Sequence, residues 1–185
     1  MCSHGEMDLE HLDGTAVQER FAEIEGVYAE AFPRYDLDDY RTRMGHQIPA
    51  RGFEAVTARD AGALAGFVYG LPLTRSAWWD GLEPPPPDGF TTETGERTFA
   101  VIDLAVRSAY RGRGLGRRLM DELLTGRTEE RATLATGMDE HENQQMYQRW
   151  GWRKVGRVPG QEGETEPWFD LYAIDLRGPE ASSSP

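Results

Sequence analysis

Arginine and glycine alternate in the middle of the chain, where residues 111–117 read Arg-Gly-Arg-Gly-Leu-Gly-Arg. Glycines let backbone N–H groups come close to a ligand, and the N-terminus of a helix presents unpaired N–H donors with a partial positive charge. The arginines add full positive charges beside these donors. The stretch therefore suits a phosphate or pyrophosphate group, and the alternative is a glycine-rich turn with solvated arginines.

The glycine spacing excludes two common phosphate-binding loops. The chain lacks the lysine-containing loop of nucleoside triphosphatases, and Gly112, Gly114 and Gly116 do not form the Gly-x-Gly-x-x-Gly pattern of Rossmann dinucleotide sites. The spacing fits the pattern Gln/Arg-x-x-Gly-x-Gly/Ala, with Arg111 at its first position.

Two predicted elements must position this stretch. An apolar run at Phe99–Val106 predicts a strand before it, and Leu115–Leu124 predicts a helix with leucines along one side after it. The glycines and arginines therefore lie at a strand-to-helix junction, where helix N–H groups face the end of the strand.

The chain resembles the GNAT family of N-acetyltransferases. The central motif of that family is a strand that ends like Leu104-Ala105-Val106, then the loop that begins at Arg111, then a helix. A second match, further along the chain, is Met146–Trp152, which is similar to the family's Leu-Tyr-x-x-x-Gly-Phe/Trp segment. Together with the elements around them, the two motifs cover most of Phe53–Leu176.

The resemblance implies acetyl-coenzyme A as the cofactor and acetyl donor. In the family, loop amides hold the pyrophosphate of coenzyme A, and backbone groups of the strand end pair with its pantetheine arm. The positions that the resemblance carries over as coenzyme A contacts are Leu104, Ala105, Val106, Arg111, Gly112, Arg113, Gly114, Leu115, Gly116, Arg117 and Asn143. The chain departs from the family at Glu140, which stands where the family often has Asn, so the alternative is that Asn143 makes no such contact.

The resemblance also implies direct acyl transfer, in which a neutral amine attacks the thioester and coenzyme A leaves as a thiolate. Tyr147 is then expected to donate a proton to the thiolate, since a phenol and a thiol have similar pKa values; otherwise it is a core aromatic residue. Asp103 occupies the second place of a Glu-Asp pair found in members that act on polyamines, although Ile102 stands at the first. Asp103 either anchors a cationic amine or relays its proton through water, or else it is a structural carboxylate bonded to the backbone.

Residues 72–97 form a long segment without clear periodicity, and we interpret it as an insertion on the substrate side. Trp78 and Trp79 within it either stack on an aromatic or cationic substrate or fasten the segment to the core. Phe32, Tyr35 and Trp168 have the same two interpretations. The acids considered for the acceptor side, besides Asp103, are Glu93, Glu96, Glu162, Glu164 and Glu166.

The rest of the chain predicts an α/β (α+β) fold with one central mixed sheet, mostly antiparallel and twisted, flanked by helices. Further helices are predicted from a capping box at Thr15 as far as Pro33, at Asp36–Met44 and at Asn143–Trp150. Further strands are predicted at Met7–Leu12, Phe53–Arg59, Ala63–Leu71, Thr133–Thr136, Trp152–Val158 and Phe169–Leu176.

The length, net charge and cysteine content of the chain disfavour several classes of protein. The chain has 185 residues, a formal net charge of −12 and a single cysteine, Cys2. We expect a single domain over residues 1–176 and a disordered tail over 177–185. The acidic charge disfavours nucleic acid, no apolar run is long enough to cross a bilayer, and one cysteine supports neither a disulfide nor a metal site. The expected location is the cytoplasm, and both a monomer and a homodimer are compatible with the sequence.

The leading hypothesis is an N-acetyltransferase that acts on a small cationic amine. The alternatives are acetylation of a peptide or protein N-terminus, and a protein that binds acyl-coenzyme A without catalysis. Tyr147 and the intact strand end favour an enzyme, whereas the lack of a matched general base favours the non-catalytic alternative.

Overall fold

The computed structural model describes residues 6–178, so Cys2 and residues 179–185 of the predicted tail lie outside the described residues. The described residues form seven strands and five α-helices. The strands are β1 (Asp8–Leu12), β2 (Glu54–Asp60), β3 (Ala63–Pro72), β4 (Thr98–Val106), β5 (Arg131–Gly137), β6 (Arg153–Pro159) and β7 (Trp168–Asp175). The helices are α1 (Gly14–Glu19), α2 (Phe21–Ala31), α3 (Leu37–Gln47), α4 (Leu115–Leu124) and α5 (His141–Arg149).

The strands form one sheet in the order β1-β2-β3-β4-β5-β7-β6. Neighbours pair antiparallel at β1–β2, β2–β3, β5–β7 and β7–β6, whereas β4 and β5 are parallel. The register of β4 with β5 runs over Thr98–Ala100 of β4. The predicted mixed, mostly antiparallel sheet with flanking helices is confirmed. Across residues 6–178, none of the helices is long and apolar enough to cross a membrane.

Contacts divide the chain into two compact units. The first comprises Met1–Leu71 and Val101–Gly126, and the second comprises Pro72–Ala100 and Arg127–Pro185. The end of β4 and the following loop thus belong to the first unit, whereas α5 belongs to the second.

The first unit encloses an aromatic and aliphatic core beneath α1, α2 and α3. Val17, Ile24 and Tyr28 are buried, and the rings of Tyr28 and Tyr40 stack with their centroids 3.7 Å apart. The predicted start of one long helix at Thr15 is wrong. The carboxylate of Asp13 caps α1 by accepting the Ala16 N–H at 2.9 Å, and a break in helical geometry at Arg20 separates α1 from α2.

The second unit has its own apolar cluster, which includes the segment between β3 and β4. Trp79, Leu82, Val158 and Leu171 are buried together. The backbone of Glu83 exchanges two hydrogen bonds of 2.9 Å with that of Arg157 on β6. The segment is therefore packed and bonded within its unit, although it contains no long helix or strand.

Candidate active site

The end of β4 is held against β3. The N–H of Arg107 donates to the Ala65 carbonyl at 2.9 Å. Gly66 permits this close approach, because a Cβ there would lie 2.7 Å from the Ala105 carbonyl oxygen. The backbone of Leu104–Val106 is thereby fixed before the chain leaves the strand.

The loop after β4 is tied down by side chains. Glu30 of α2 accepts from the Arg107 guanidinium and from the Ser108 N–H at 3.0 Å. The Arg111 Nε donates back to the Val106 carbonyl at 2.9 Å, and the Tyr110 hydroxyl donates to Asp60 at 3.2 Å. These bonds connect the turn before α4 to α2, to β2 and to the end of β4.

Gly114 is the N-cap of α4 and lies in the left-handed region, with φ 77° and no capping side chain. Neither Gly112 nor Gly114 has any atom within 4 Å of the place that a Cβ would occupy. Among the described residues, the N–H groups of Leu115, Gly116 and Arg117 donate no backbone hydrogen bond. A row of unpaired donors therefore opens onto empty space at the positive end of a helix, which is a geometry suited to an anion.

The arginines of this loop supply positive charge at the surface. Arg111, Arg113, Arg117 and Arg118 are exposed. Arg117 has a carboxylate near it, with Nε 3.8 Å from Asp121, one turn along the same helix. Arg111 is bonded to the strand end, whereas the exposed Arg113, Arg117 and Arg118 leave guanidinium donors available to an anion at the helix N-terminus.

Asp103 on β4 faces an arginine that sequence reasoning did not identify. Its Oδ2 accepts from the Arg43 guanidinium of α3 at 3.1 Å and from the Tyr69 hydroxyl at 2.9 Å. Arg43 also donates to the Tyr69 hydroxyl at 2.7 Å. Burial raises the pKa of Tyr69 well above its ordinary value, and the nearby Asp103 adds to the rise. Tyr69 therefore stays a neutral hydrogen-bonding group at physiological pH.

Tyr147 lies on α5, where its ring packs edge-on against two tryptophans. The ring centroids of Trp150 and Trp152 lie 5.6 and 6.3 Å from that of Tyr147. Asn143 is exposed on the first turn of the same helix. The catalytic role of Tyr147 and a coenzyme A contact by Asn143 stay predictions.

Gln144, which the sequence did not single out, anchors α5 to the end of β5. Its Nε2 lies 3.0 Å from the Gly137 carbonyl, 3.1 Å from Thr136 Oγ1 and 3.1 Å from Asp170 Oδ2. These bonds hold the helix that carries Tyr147 in a defined orientation within the second unit.

Glu140 stands before α5 and accepts the Gly137 N–H at 3.0 Å. Burial raises the pKa of its carboxyl group, the Gly137 bond opposes this, and the nearby Glu166 carboxylate adds to the rise. A Cβ on Gly137 would meet Glu166 Cδ at 3.2 Å and Glu140 Cγ at 3.5 Å. The two acidic side chains therefore converge at the end of β5.

The two tryptophans of the segment between β3 and β4 make fastening contacts. Trp79 is 2% exposed, and its indole N–H donates to Glu93 at 3.0 Å. The indole N–H of the half-buried Trp78 donates to the buried Thr133 hydroxyl at 3.2 Å. The structure thus shows the fastening contacts that were one of the two expectations, and substrate binding by this pair stays a prediction.

The other residues considered for substrate differ in exposure. Phe32 is partly buried against the core of the first unit, and Tyr35 is 39% exposed. Trp168 is partly buried at the start of β7, opposite Pro159 of β6. The side chain of Glu93 is fully buried, whereas Glu96, Glu162 and Glu164 are exposed.

Comparison with known sequences and structures gives a consistent result. The model of the acetyltransferase (GNAT) family matches residues 16–152. Among curated protein sequences, none matches this chain significantly.

Among solved structures, an aminoglycoside 6'-acetyltransferase type Ii is 18% identical, with a TM-score of 0.67 over 92% of this chain and 98% of that chain. The ribosomal-protein alanine N-acetyltransferase from Escherichia coli is 11% identical, with a TM-score of 0.67 over 97% and 100%. An aminoglycoside N-acetyltransferase in complex with CoA is 15% identical, with a TM-score of 0.61 over 89% and 99%. At these identities the likeness shows a shared fold.

Proposed function

The chain belongs to the GNAT acetyltransferase family, and from this premise we propose that it transfers the acetyl group of acetyl-coenzyme A to a primary amine of a small molecule. Family membership makes the protein an acyltransferase. The donor, the acceptor and the residues that act on them are our proposal.

The observation that carries the proposal is the N-terminus of α4. Unpaired N–H groups at Leu115, Gly116 and Arg117, and the open space beside Gly112 and Gly114, fit a pyrophosphate. The pyrophosphate oxygens would accept hydrogen bonds from these N–H groups, which donate no backbone hydrogen bond among the described residues. Arg113 and Arg117 would add charge that holds the phosphates at physiological pH. Backbone groups of Leu104–Val106 would orient the pantetheine arm, as the resemblance implies.

In this proposal the bound donor supplies a thioester carbonyl that an amine can attack. The amine must reach this carbonyl without its extra proton, so a base or a water chain has to remove that proton. The Tyr147 hydroxyl donates a proton to the departing sulfur and keeps the thiolate from re-forming the thioester. An N–H at the end of β4 polarises the carbonyl oxygen, since fixed dipoles act strongly where water is excluded.

The acceptor side of the proposal includes Asp103, whose carboxylate can bind an ammonium group. The exposed acids Glu96, Glu162 and Glu164 favour a cationic acceptor through long-range attraction, which salt would screen. Arg43, however, offsets the charge of Asp103 at short range. The pairing therefore supports an acceptor that is recognised by hydrogen bonds better than one that is recognised only by its positive charge.

A second candidate function is binding of acyl-coenzyme A without catalysis. The pairing of Asp103 with Arg43 favours it, because the guanidinium already binds the Oδ2 atom that could otherwise accept a proton from an amine. Turnover with any amine would exclude this candidate.

Calorimetric titration with coenzyme A tests the first step of the proposal. Gly116→Val should abolish binding, because Gly116 lies in the proposed pyrophosphate loop, where a β-branched side chain would block the pyrophosphate. Gly45→Val is a matched control, since Gly45 lies in α3 of the same unit and has no atom within 4 Å of its Cβ position. Unchanged affinity in folded Gly116→Val would contradict the proposal.

A further inference from the structure

Arg43 and Asp103 form a charge pair that is neither buried nor on the free surface. The Arg43 side chain is 34% exposed and that of Asp103 is 13% exposed. Three buried tyrosines hold the pair from below. Tyr69 bonds to both charged groups, and the guanidinium lies 5.9 Å from the ring centroid of Tyr28 and 5.4 Å from that of Tyr40. The pair is therefore fixed in place and still accessible.

Both partners keep hydrogen-bonding capacity. A guanidinium has five N–H donors, and a carboxylate oxygen accepts more than one bond. The contacts of Arg43 run from its two Nη atoms to Tyr69, Tyr28 and Asp103, and both contacts of Asp103 use Oδ2. Among residues 6–178, neither Arg43 Nε nor Asp103 Oδ1 has a hydrogen-bond partner. One donor of Arg43 and one acceptor of Asp103, whose side chains form a 3.1 Å ion pair, thus remain unused.

A paired site of this kind favours ligands that carry both charges. A ligand with an ammonium group but no carboxylate would be attracted by Asp103 and repelled by Arg43. A ligand with a carboxylate but no ammonium group would be attracted by Arg43 and repelled by Asp103. A molecule with an ammonium and a carboxylate a few bonds apart can satisfy both groups at once. Partial exclusion of water strengthens this preference.

Aromatic rings extend from the charge pair toward the surface. The ring centroids of Tyr28 and Phe32 are 5.0 Å apart, those of Phe32 and Tyr35 are 6.0 Å apart, and Tyr35 is exposed. This row begins beneath Arg43 and offers an apolar surface for the side chain of a ligand.

We propose that Arg43 and Asp103 are the acceptor-recognition pair and that the acceptor is an amino acid-like molecule with an apolar or aromatic side chain. The carboxylate of the acceptor bonds to Arg43, and its ammonium bonds to Asp103 Oδ1 before it loses a proton to solvent. The neutral amine nitrogen then forms the C–N bond while the C–S bond of the thioester breaks. The nitrogen releases a second proton as the amide forms, and the departing sulfur takes up one proton, so that the products are the amide and the thiol. This inference rests on the proposed acetyl transfer and names its substrate class.

The test uses matched acceptors that differ only at the carboxylate: L-phenylalanine, L-phenylalaninamide and 2-phenylethylamine, and L-leucine with 3-methylbutylamine. Thiol release from acetyl-coenzyme A gives KM and kcat for each. We expect KM to be about 10-fold to 100-fold lower for the acids, which corresponds to loss of one charged hydrogen bond. Arg43→Gln should bring the KM ratio of acid to amine close to one without changing coenzyme A affinity.

The controls separate recognition from folding. Arg41→Gln lies two residues away on α3 and removes bonds to Glu25 and Asp38 only, so it should keep the preference for acids. Arg43→Lys keeps the charge and should retain part of the preference if Arg43→Gln does not fold. The inference would be overturned if the wild-type protein showed the same KM for amines or amides as for acids, or if the Arg43→Gln variant kept the preference for acids. Either result would leave the proposed acetyl transfer standing. Coenzyme A binding with no acetylation of any acid would also overturn the inference. Failure of the wild-type protein to bind coenzyme A would count against the proposed function itself.

Discussion

Arg131 of β5 contacts Glu93 of the segment between β3 and β4, with Nη2 3.0 Å from Oε1 and side chains 6% and 0% exposed. Oε1 also accepts from Thr98 at 2.7 Å and from Trp79 at 3.0 Å, whereas Oε2 is buried without a partner. The guanidinium lies 4.3 Å from the centroid of the Phe90 ring. This ion pair therefore fastens the segment to the strands of its unit.

Arg131→Met should destabilise the protein by about 3–5 kcal/mol, because it leaves the Glu93 charge buried without a counter-ion. Adding Glu93→Gln should restore most of this stability, since the neutral amide still accepts from Trp79 and Thr98. Urea unfolding of both variants measures the effect. An Arg131→Met variant as stable as the wild-type protein would show that the pair does not hold the segment.

Gly114→Ala should weaken coenzyme A binding by about 10-fold or more, because the methyl group would enter the space in front of the unpaired α4 amides. Gly62→Ala is the matched control, since Gly62 also has a positive φ, 88° against 77°, and no atom within 4 Å of its Cβ position. Both variants should lose about 1–2 kcal/mol of stability through backbone strain. Equal coenzyme A affinity in the two variants would argue against a pyrophosphate site.

Tyr147→Phe should lower kcat by roughly 100-fold to 10,000-fold and leave coenzyme A affinity unchanged, because it removes a proton donor and keeps the ring that packs on Trp150 and Trp152. Tyr40→Phe serves as a comparison. The Tyr40 hydroxyl is buried without a partner, so its removal should leave kcat unchanged and preserve or raise stability. A Tyr147→Phe enzyme with normal kcat, under conditions where chemistry limits the rate, would make Tyr147 a packing residue.

His11 gives the stability a specific pH dependence. Hydrogen bonds from its ring to Glu122 and Glu54, 2.8 and 2.6 Å long, raise its pKa above the ordinary value of 6.5. The charged ring thus stabilises the fold fully below pH 6.5, and this contribution is lost as the pH rises through the raised pKa. The difference in Tm between the wild-type protein and His11→Gln should therefore shrink with rising pH, and high salt should reduce it at low pH. A difference that grows with pH would contradict this account.

The sequence predicted the elements that carry strong local signals. The strand at Phe99–Val106 and the helix at Leu115–Leu124 appear with only the start of the strand shifted, because apolar periodicity and the glycines at their junction define them locally. The start of α1 was wrong because two capping groups, Asp13 and Thr15, compete within three residues. Local pattern does not decide which of them captures the helix N–H groups.

The long-range contacts could not be read from the sequence. Arg43 and Asp103 are 60 positions apart, and Gln144 lies 26 positions from Asp170. Neither pair has a spacing signal, since only the folded backbone brings the residues together. For the same reason the sequence left Asp103 as either a group that acts on a cationic amine or a structural carboxylate, and it did not identify the Arg43 guanidinium bonded to it.

The central claim is acetyl transfer to an amine, and acceptor-dependent thiol release tests it most directly. Purified protein is incubated with acetyl-coenzyme A and a panel of small amines, amino acids and short peptides, with mass spectrometry of each product. The account predicts thiol release that requires an amine, an equal amount of acetylated amine, and a large loss of rate in Gly114→Ala and Tyr147→Phe. Acetyl-coenzyme A that binds to the wild-type protein but is not cleaved with any acceptor in the panel would contradict it.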